Sequence, residues 1–385
     1  MNRTSLISSK LHLFAIFIFA AIGPFILLSA PVIAQQVAVE WQLSPSQVGT
    51  FFFVELGVMS LATIPAFFWA KKVNFRKAAL ISSIVFILGN LFSIFAQSFD
   101  MLLFARAITA LGGGSLMIIT MTSCSLTSHP DRTYGLWILG QVILGALALF
   151  FLPKFFPMGG LKIAFGFMIL VALIALPFHR YFADFILEKK TEVIATVNTK
   201  NKVLGILSVV ATLIFYIAIG GVWTFISSIG TQAKIDIHFV NSILAISTIV
   251  GILGCFLPSI IGGKINRKFA LIFGYGVFFA SLMFLFNQIS NSDFVFAVIA
   301  FKFTWMFTIP FILATVGSLD STGKLMNSVN LAIGTGLALG PVIAGKIIES
   351  TGDFNLLIAY TIAVFAVSFV VIYLCNLKKT VATTA

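Results

Sequence analysis

Twelve long apolar runs separated by short polar connections organise the chain. They lie at 11–34, 47–70, 78–96, 101–121, 135–152, 161–178, 203–228, 239–262, 269–288, 294–316, 326–346 and 354–376. Each approximates the roughly 20 residues a helix needs to cross the hydrocarbon of a bilayer. The pattern therefore predicts an all-α integral membrane protein with twelve transmembrane helices. Pro24, Pro65, Pro258, Pro310 and Pro341 fall inside these runs and predict kinks, which packed membrane helices tolerate. The first run follows Arg3 and Lys10 and ends in Val32-Ile33-Ala34, as a secretory signal would. Its apolar stretch is longer than the usual roughly 7–15 residues of a signal core and contains Gly23-Pro24, so a retained helix is expected.

Composition strengthens this picture. Hydrophobic residues make up 59% of the chain and charged residues 9%, and the mean hydropathy is +1.10, well above the roughly half-apolar soluble average. The net charge of +12 raises the question of nucleic acid, but the basic residues sit in short clusters between apolar runs and form no stripe. They read instead as topology signals. With the N-terminus inside, eighteen of the 24 Lys and Arg residues face the cytoplasm, and only Lys154, Lys162, Lys234 and Lys346 fall outside. Arg106 and Lys302 remain, inside helices. The expectation is a multi-pass protein of the cell (inner) membrane with both termini cytoplasmic. Cys124, Cys255 and Cys375 show no pairing pattern and are expected to be free thiols.

The chain repeats itself. AKKVNFRKAALI (70–81) follows the second run and GGKINRKFALI (262–272) the eighth, nearly half the chain apart. HPDRTYG (129–135) and LDSTGK (319–324) occupy corresponding connections. The expected organisation is an N-terminal six-helix bundle at 1–178, a charged cytoplasmic linker at 179–202 and a C-terminal six-helix bundle at 203–385, the bundles related by pseudo-twofold symmetry.

Three charges lie at membrane depth, where a charge is expensive and usually functional. Glu55, in FFFVELGVMS, is eight residues or about 12 Å from Gln47; Arg106 is five residues or about 8 Å from the outer end of its run. Similar depth in one half suggests a coupling device. A buried carboxylate next to a guanidinium is held ionised, and one moved away from it favours its protonated form, so a change in their separation would take up or release a proton. A static helix-to-helix ion pair, or a protonated Glu55 hydrogen-bonded to a neighbour, is the plainer alternative. The glycines after Arg106 leave packing intact when the arginine is removed, so Arg106→Ala is expected to impair function more than folding. Lys302 lies about 12 Å below Phe294 among Phe301, Phe303, Trp305 and Phe307, a setting suited to aromatic or carboxylate-bearing ligands. A neutral lysine, snorkelling, or pairing with a carbonyl of the eleventh helix are its alternatives. LSPSQVG (43–49) predicts a helix start, with Ser44 as cap, Pro45 in the first turn and Gln47 reaching back.

Over almost its whole length the chain resembles the major facilitator superfamily. That family carries G-x-x-x-D-R-x-G-R-R/K after its second helix. Here the aligned stretch contains Lys71, Lys72, Asn74, Arg76 and Lys77, with Lys71 in place of the acid and Asn74 in place of the glycine. Lys264, Asn266 and Arg267 are the second-half counterpart. The resemblance implies a conformational loop that latches the halves. The substitutions leave open a loop that only anchors topology. Arg106-Ala107-Ile108-Thr109-Ala110-Leu111-Gly112-Gly113-Gly114 resembles the family's fourth-helix motif. Gly112, Gly113 and Gly114 would serve helix packing, as would Gly336, Gly340 and Pro341 in the eleventh helix. LSPSQVG, VELG and PDRTYGLWILGQVILGALALFFLP look like a bacterial efflux-permease branch, although the fifth helix lacks the Gly-Pro of proton antiporters. In the family the fourth and tenth helices line a central cavity. The resemblance thus implies a monomeric, proton-coupled secondary transporter exporting small organic compounds by alternating access, with Glu55 and Arg106 as coupling residues. Arg106, Lys302, Trp305 and Phe301 would line the substrate cavity. Proton symport of a small organic anion is the alternative. Small-molecule substrate, protons and lipid are the expected partners, with no cofactor, metal or nucleic acid.

Enzymatic signals are weak. His179 and Asp184 match an H-x-x-x-x-D acyltransferase pattern, but its phosphoryl-binding partner motifs are missing. There is no HExxH, no phosphate-binding glycine loop and no metal-ligand cluster among His12, His129, His179 and His238.

Overall fold

The computed structural model describes residues 9–62, 64–65, 73–183, 199–261, 265–319 and 324–382. Among them all regular structure is helical. Each of the twelve apolar runs becomes a helix or a group of helices, numbered here as spans one to twelve. Span one is broken into Lys10–Ile22, Phe25–Leu28 and Ala30–Trp41. Spans two to six are Pro45–Leu61, Phe75–Ile94, Phe99–Ser125, Pro130–Gly159 and Leu161–Ala175, the last continued by the 3-10 turn Leu176–Tyr181. Spans seven to twelve are Thr199–Gln232, Ile237–Ile261, Arg267–Met283, Asn291–Gly317, Lys324–Thr351 and Phe354–Ala382.

Local chemistry sets these boundaries. Span one breaks where Pro24 lacks an N–H, and the Ser29 hydroxyl donates to the Phe25 carbonyl at 2.7 Å just before the helix restarts. Span two opens with the expected reciprocal cap: the Ser44 N–H donates to Gln47 Oε1 (2.9 Å) and the Gln47 N–H to Ser44 Oγ (3.4 Å). Span five was expected to end at 152 but runs on through Pro153 and Pro157 to Gly159. Among the described residues, nine spans are long and apolar enough to cross a membrane. The other three are the broken first span, the second, described continuously only to residue 62, and the 17-residue ninth.

The repeated loops find their physical meaning in two helix caps. Asn74 and Asn266 precede spans three and nine with nearly the same backbone (φ −66°, ψ 123° and φ −66°, ψ 128°). Asn74 Oδ1 accepts from the Arg76 and Lys77 N–H groups, and Asn266 Oδ1 from Lys268 N–H. Arg76 also ties down the end of span six, its Nε donating to the Phe182 carbonyl at 3.1 Å. Lys71, Lys72 and Lys264 lie outside the described residues.

The chain divides into two compact units, Met1–Leu43 with Phe51–Lys190, and Ser44–Thr50 with Thr191–Ala385. Within the first, spans one and five, three and four, and three and six pack together. Within the second, the corresponding pairs six spans later do so: seven and eleven, nine and ten, nine and twelve. The second unit has an aromatic core in which the Phe215, Tyr275, Phe278 and Phe365 rings meet at 4.5–6.1 Å. Ser368 Oγ donates to the Ala211 carbonyl, which leaves Tyr275 Oη as the donor to Ser368 at 2.8 Å.

Outward faces are also apolar; Phe104, Leu253 and Phe269 are 68%, 65% and 70% exposed. In lipid such surfaces give no drive for helices to associate, so close contact through small residues must hold them. A methyl group on Gly112 would lie 2.6 Å from Phe86 N, and one on Gly114 2.6 Å from the Met59 carbonyl oxygen, so span four touches the backbones of spans three and two. Gly113 faces Gly23 and the Phe86 ring. In the second unit a methyl on Gly336 would sit 2.7 Å from the Leu213 carbonyl, and one on Gly340 2.6 Å from Gly221 N. Pro341 is buried beside Gly220. Gly112→Ala is expected to lower the thermal stability of the purified protein by about 1–3 kcal/mol. Gly276→Ala, where nothing lies within 4 Å, should be neutral or slightly stabilising. Thermal unfolding in one detergent compares the two directly.

Candidate functional site

The first unit holds a buried ion pair between spans two and four. Arg106 is fully buried and Glu55 is 4% exposed. Arg106 Nε donates to Glu55 Oε2 at 2.7 Å and Nη2 donates to Oε1 at 2.8 Å, a two-pronged arrangement that matches the planar guanidinium to both carboxylate oxygens. Nη1 donates to Asn90 Oδ1 at 2.9 Å and, at the limit of hydrogen-bonding distance, to Ser93 Oγ at 3.5 Å. The Phe165 ring centroid lies 5.0 Å from the guanidinium carbon. Asn90 is itself oriented, its Nδ2 donating to the Phe86 carbonyl one turn back. The arginine thus has neutral partners in place besides the acid. Asn90 and Ser93 were not among the sequence candidates, although Asn90 is the lone amide in its apolar run, a signal that could have flagged it.

The second unit holds a different arrangement around Lys302 of span ten. The side chain is fully buried, and its Nζ has no hydrogen-bond partner among the described residues. The ammonium lies 3.8 Å from the Trp223 ring centroid and 4.2 Å from that of Trp305, with the two indoles edge to face at 6.0 Å. Cation–π contacts of this kind contribute about 2 kcal/mol each when desolvated. Trp305 Nε1 lies beside the buried Tyr216 hydroxyl without closing a hydrogen bond of normal geometry. Gly251 of span eight lets the lysine stem pass, since a methyl there would meet Lys302 Cγ at 3.2 Å.

Of the predicted aromatic neighbours, Trp305 is at the ammonium, whereas Phe301 packs on Phe278 (5.1 Å) and Phe307 on Phe273 (5.4 Å). Trp223 was not foreseen. Nor was the depth. Arg106 comes eight residues after its N-cap Ser98, whereas Lys302 comes twelve after Ser290, whose capping box with Asp293 starts span ten before its apolar run. Lys302 is therefore about 18 Å along its helix against about 12 Å for Arg106, so the two cations do not occupy equivalent positions in the repeat.

Other features carry less. An open apolar groove of about 580 Å³ lies between spans eight, nine and ten, lined by Phe239, Val250, Val277, Val295, Phe296 and Phe303. It contains none of the charged candidates, and its walls suit a lipid chain. His179 Nδ1 sits 2.6 Å from the Leu176 carbonyl within its 3-10 turn, while Asp184 lies outside the described residues. No group of His, Cys, Asp or Glu able to hold a metal occurs among the described residues.

Comparison with known proteins bears on the family and the fold. The family description matched is "Major Facilitator Superfamily", over residues 12–321. No curated protein matches. Among solved structures, a bacterial homologue of the human lysosomal transporter Spinster, in an inward-facing and unoccupied conformation, aligns with TM-score 0.69 at 15% identity, covering 96% of this chain and 98% of that one. A variant of the nucleoside transporter NupG aligns with TM-score 0.71 at 12% identity, covering 97% and 99%. At such identities the likeness speaks to fold alone. The family match spans most of the 385 residues, and the chain belongs to the Major Facilitator Superfamily: it is an all-α integral membrane transporter of twelve-helix, two-bundle class, not an enzyme.

Proposed function

We propose that this transporter is driven by protons, with Glu55 and Arg106 as its coupling pair, and that it exports small organic compounds from the cytoplasm by alternating access. The observation that carries the reading is the two-pronged pair at 2.7 and 2.8 Å, buried in the first unit with Asn90 and Ser93 as additional partners for the arginine. An intramembrane carboxylate facing an arginine with other acceptors can leave it at reduced cost and take a proton instead. One charge crossing 100 mV supplies about 2.3 kcal/mol, roughly a 40-fold concentration ratio. The Lys and Arg bias favours an orientation in the cell membrane with both termini cytoplasmic. Proton symport of an organic anion into the cell is the second reading, favoured by Lys302, whose Nζ has no hydrogen-bond partner among the described residues.

Everted membrane vesicles given a panel of organic compounds test direction and coupling together. Export predicts accumulation inside vesicles with an acidic lumen, abolished by a protonophore. Uptake only into right-side-out vesicles with an acidic exterior would replace the first reading by the second. Downhill movement indifferent to the protonophore would contradict both.

A further inference from the structure

Among the described residues the buried Lys302 Nζ has no hydrogen-bond partner. Between residues 203 and 377 the carboxylates are Asp236, Asp293, Asp320, Glu349 and Asp353. Asp236 and Asp353 precede spans eight and twelve, Asp293 lies in the first turn of span ten, Glu349 in the last turns of span eleven, and Asp320 in the connection between spans ten and eleven. Asp293, on the same helix, is nine residues or about 13 Å away along the axis. In the resting arrangement the Trp223 and Trp305 faces stand in for an anion. A bare cation at this depth is retained where something charged comes to meet it.

We propose that Lys302, Trp223 and Trp305 form the receptor for the anionic group of the transported substrate, and that the substrate class is planar aromatic monocarboxylates. This rests on the transporter reading above and names its cargo. One ammonium calls for one negative charge. A carboxylate accepting from Nζ replaces the indoles as the lysine's partner, which frees their faces to stack on a flat ring. Tyr216, beside Trp305 and also buried, adds a third aromatic wall with a hydroxyl at its edge. The site differs in kind from the Glu55–Arg106 pair, where the cation already has its acid.

The test is equilibrium binding to the purified full-length protein in detergent, followed by tryptophan fluorescence, with 2-naphthoate and its neutral isostere 2-naphthamide as probes. The wild type should bind the carboxylate at least about tenfold more tightly than the amide, the discrimination given by a site built around one charged partner. In Lys302→Met the preference should fall below about twofold, with elution on gel filtration unchanged. Trp305→Phe keeps the ammonium, so it should keep the preference while weakening both probes. Equal binding of the two probes by the wild type, absence of binding by either, or a preference surviving in Lys302→Met overturns the proposal. Binding needs no gradient, so a naphthoate preference without proton-driven transport would sink the coupling reading and leave this one standing. The reverse outcome would do the opposite.

Discussion

Arg106→Ala will unfold at markedly lower temperature than the wild type and will not transport. The fully buried guanidinium neutralises Glu55, and its removal leaves a carboxylate at membrane depth with both oxygens unpaired. Breaking a buried pair from one side costs about 3–5 kcal/mol. Sequence alone led to a milder expectation, damage to transport more than to folding, because the adjacent glycines were expected to hold span four. They do touch neighbouring backbones, but packing does not compensate an orphaned charge. Arg106→Lys should recover part of the stability and little transport, since an ammonium cannot bridge both Glu55 oxygens and reach Asn90 at once. Removing both partners together, Glu55→Ala with Arg106→Ala, should restore most of the lost stability, because no charge is then stranded. Thermal unfolding of the four proteins in one detergent checks the series. A double variant no more stable than Arg106→Ala would mean that the pair's role in folding is steric.

Glu55→Gln will exchange substrate across the membrane but will not concentrate it. The amide oxygen still accepts one hydrogen bond from Arg106, and Asn90 and Ser93 continue to hold the guanidinium. The amide cannot carry a proton. In proteoliposomes with an imposed pH gradient, accumulation should fall from tens-fold in the wild type, the order expected for one proton, to a ratio near one. Exchange between equal substrate pools should persist and lose its dependence on pH. Continued accumulation by the variant would remove Glu55 from the coupling step.

The spans were legible because twenty-residue apolar runs have few alternatives, and one helix start was legible because a cap is local chemistry. Ser44 with Gln47 is written within four residues, and the recurrence of Asn74 as Asn266 marks the repeat. Pairing across helices was less so. In lipid both faces of a helix are apolar, so buried Phe215 and exposed Phe269 look alike in sequence, and nothing local says that Phe301 turns toward Phe278 while Lys302 turns toward Trp223. Glu55 and Arg106 could be matched because each is the lone deep charge of its sign in its half. Asn90, Ser93 and Trp223 lie on helices whose rotation only packing fixes.

If Glu55 couples transport it takes up a proton inside the membrane, and infrared difference spectroscopy of the reconstituted protein reads that event without knowledge of the substrate. Spectra taken between mildly acidic and mildly alkaline buffer should show a protonated carboxyl band for the wild type that is missing from Glu55→Gln, with a matching loss of carboxylate signal. Wild-type and variant difference spectra that superimpose would contradict the account and leave the pair a fixed strut between spans two and four.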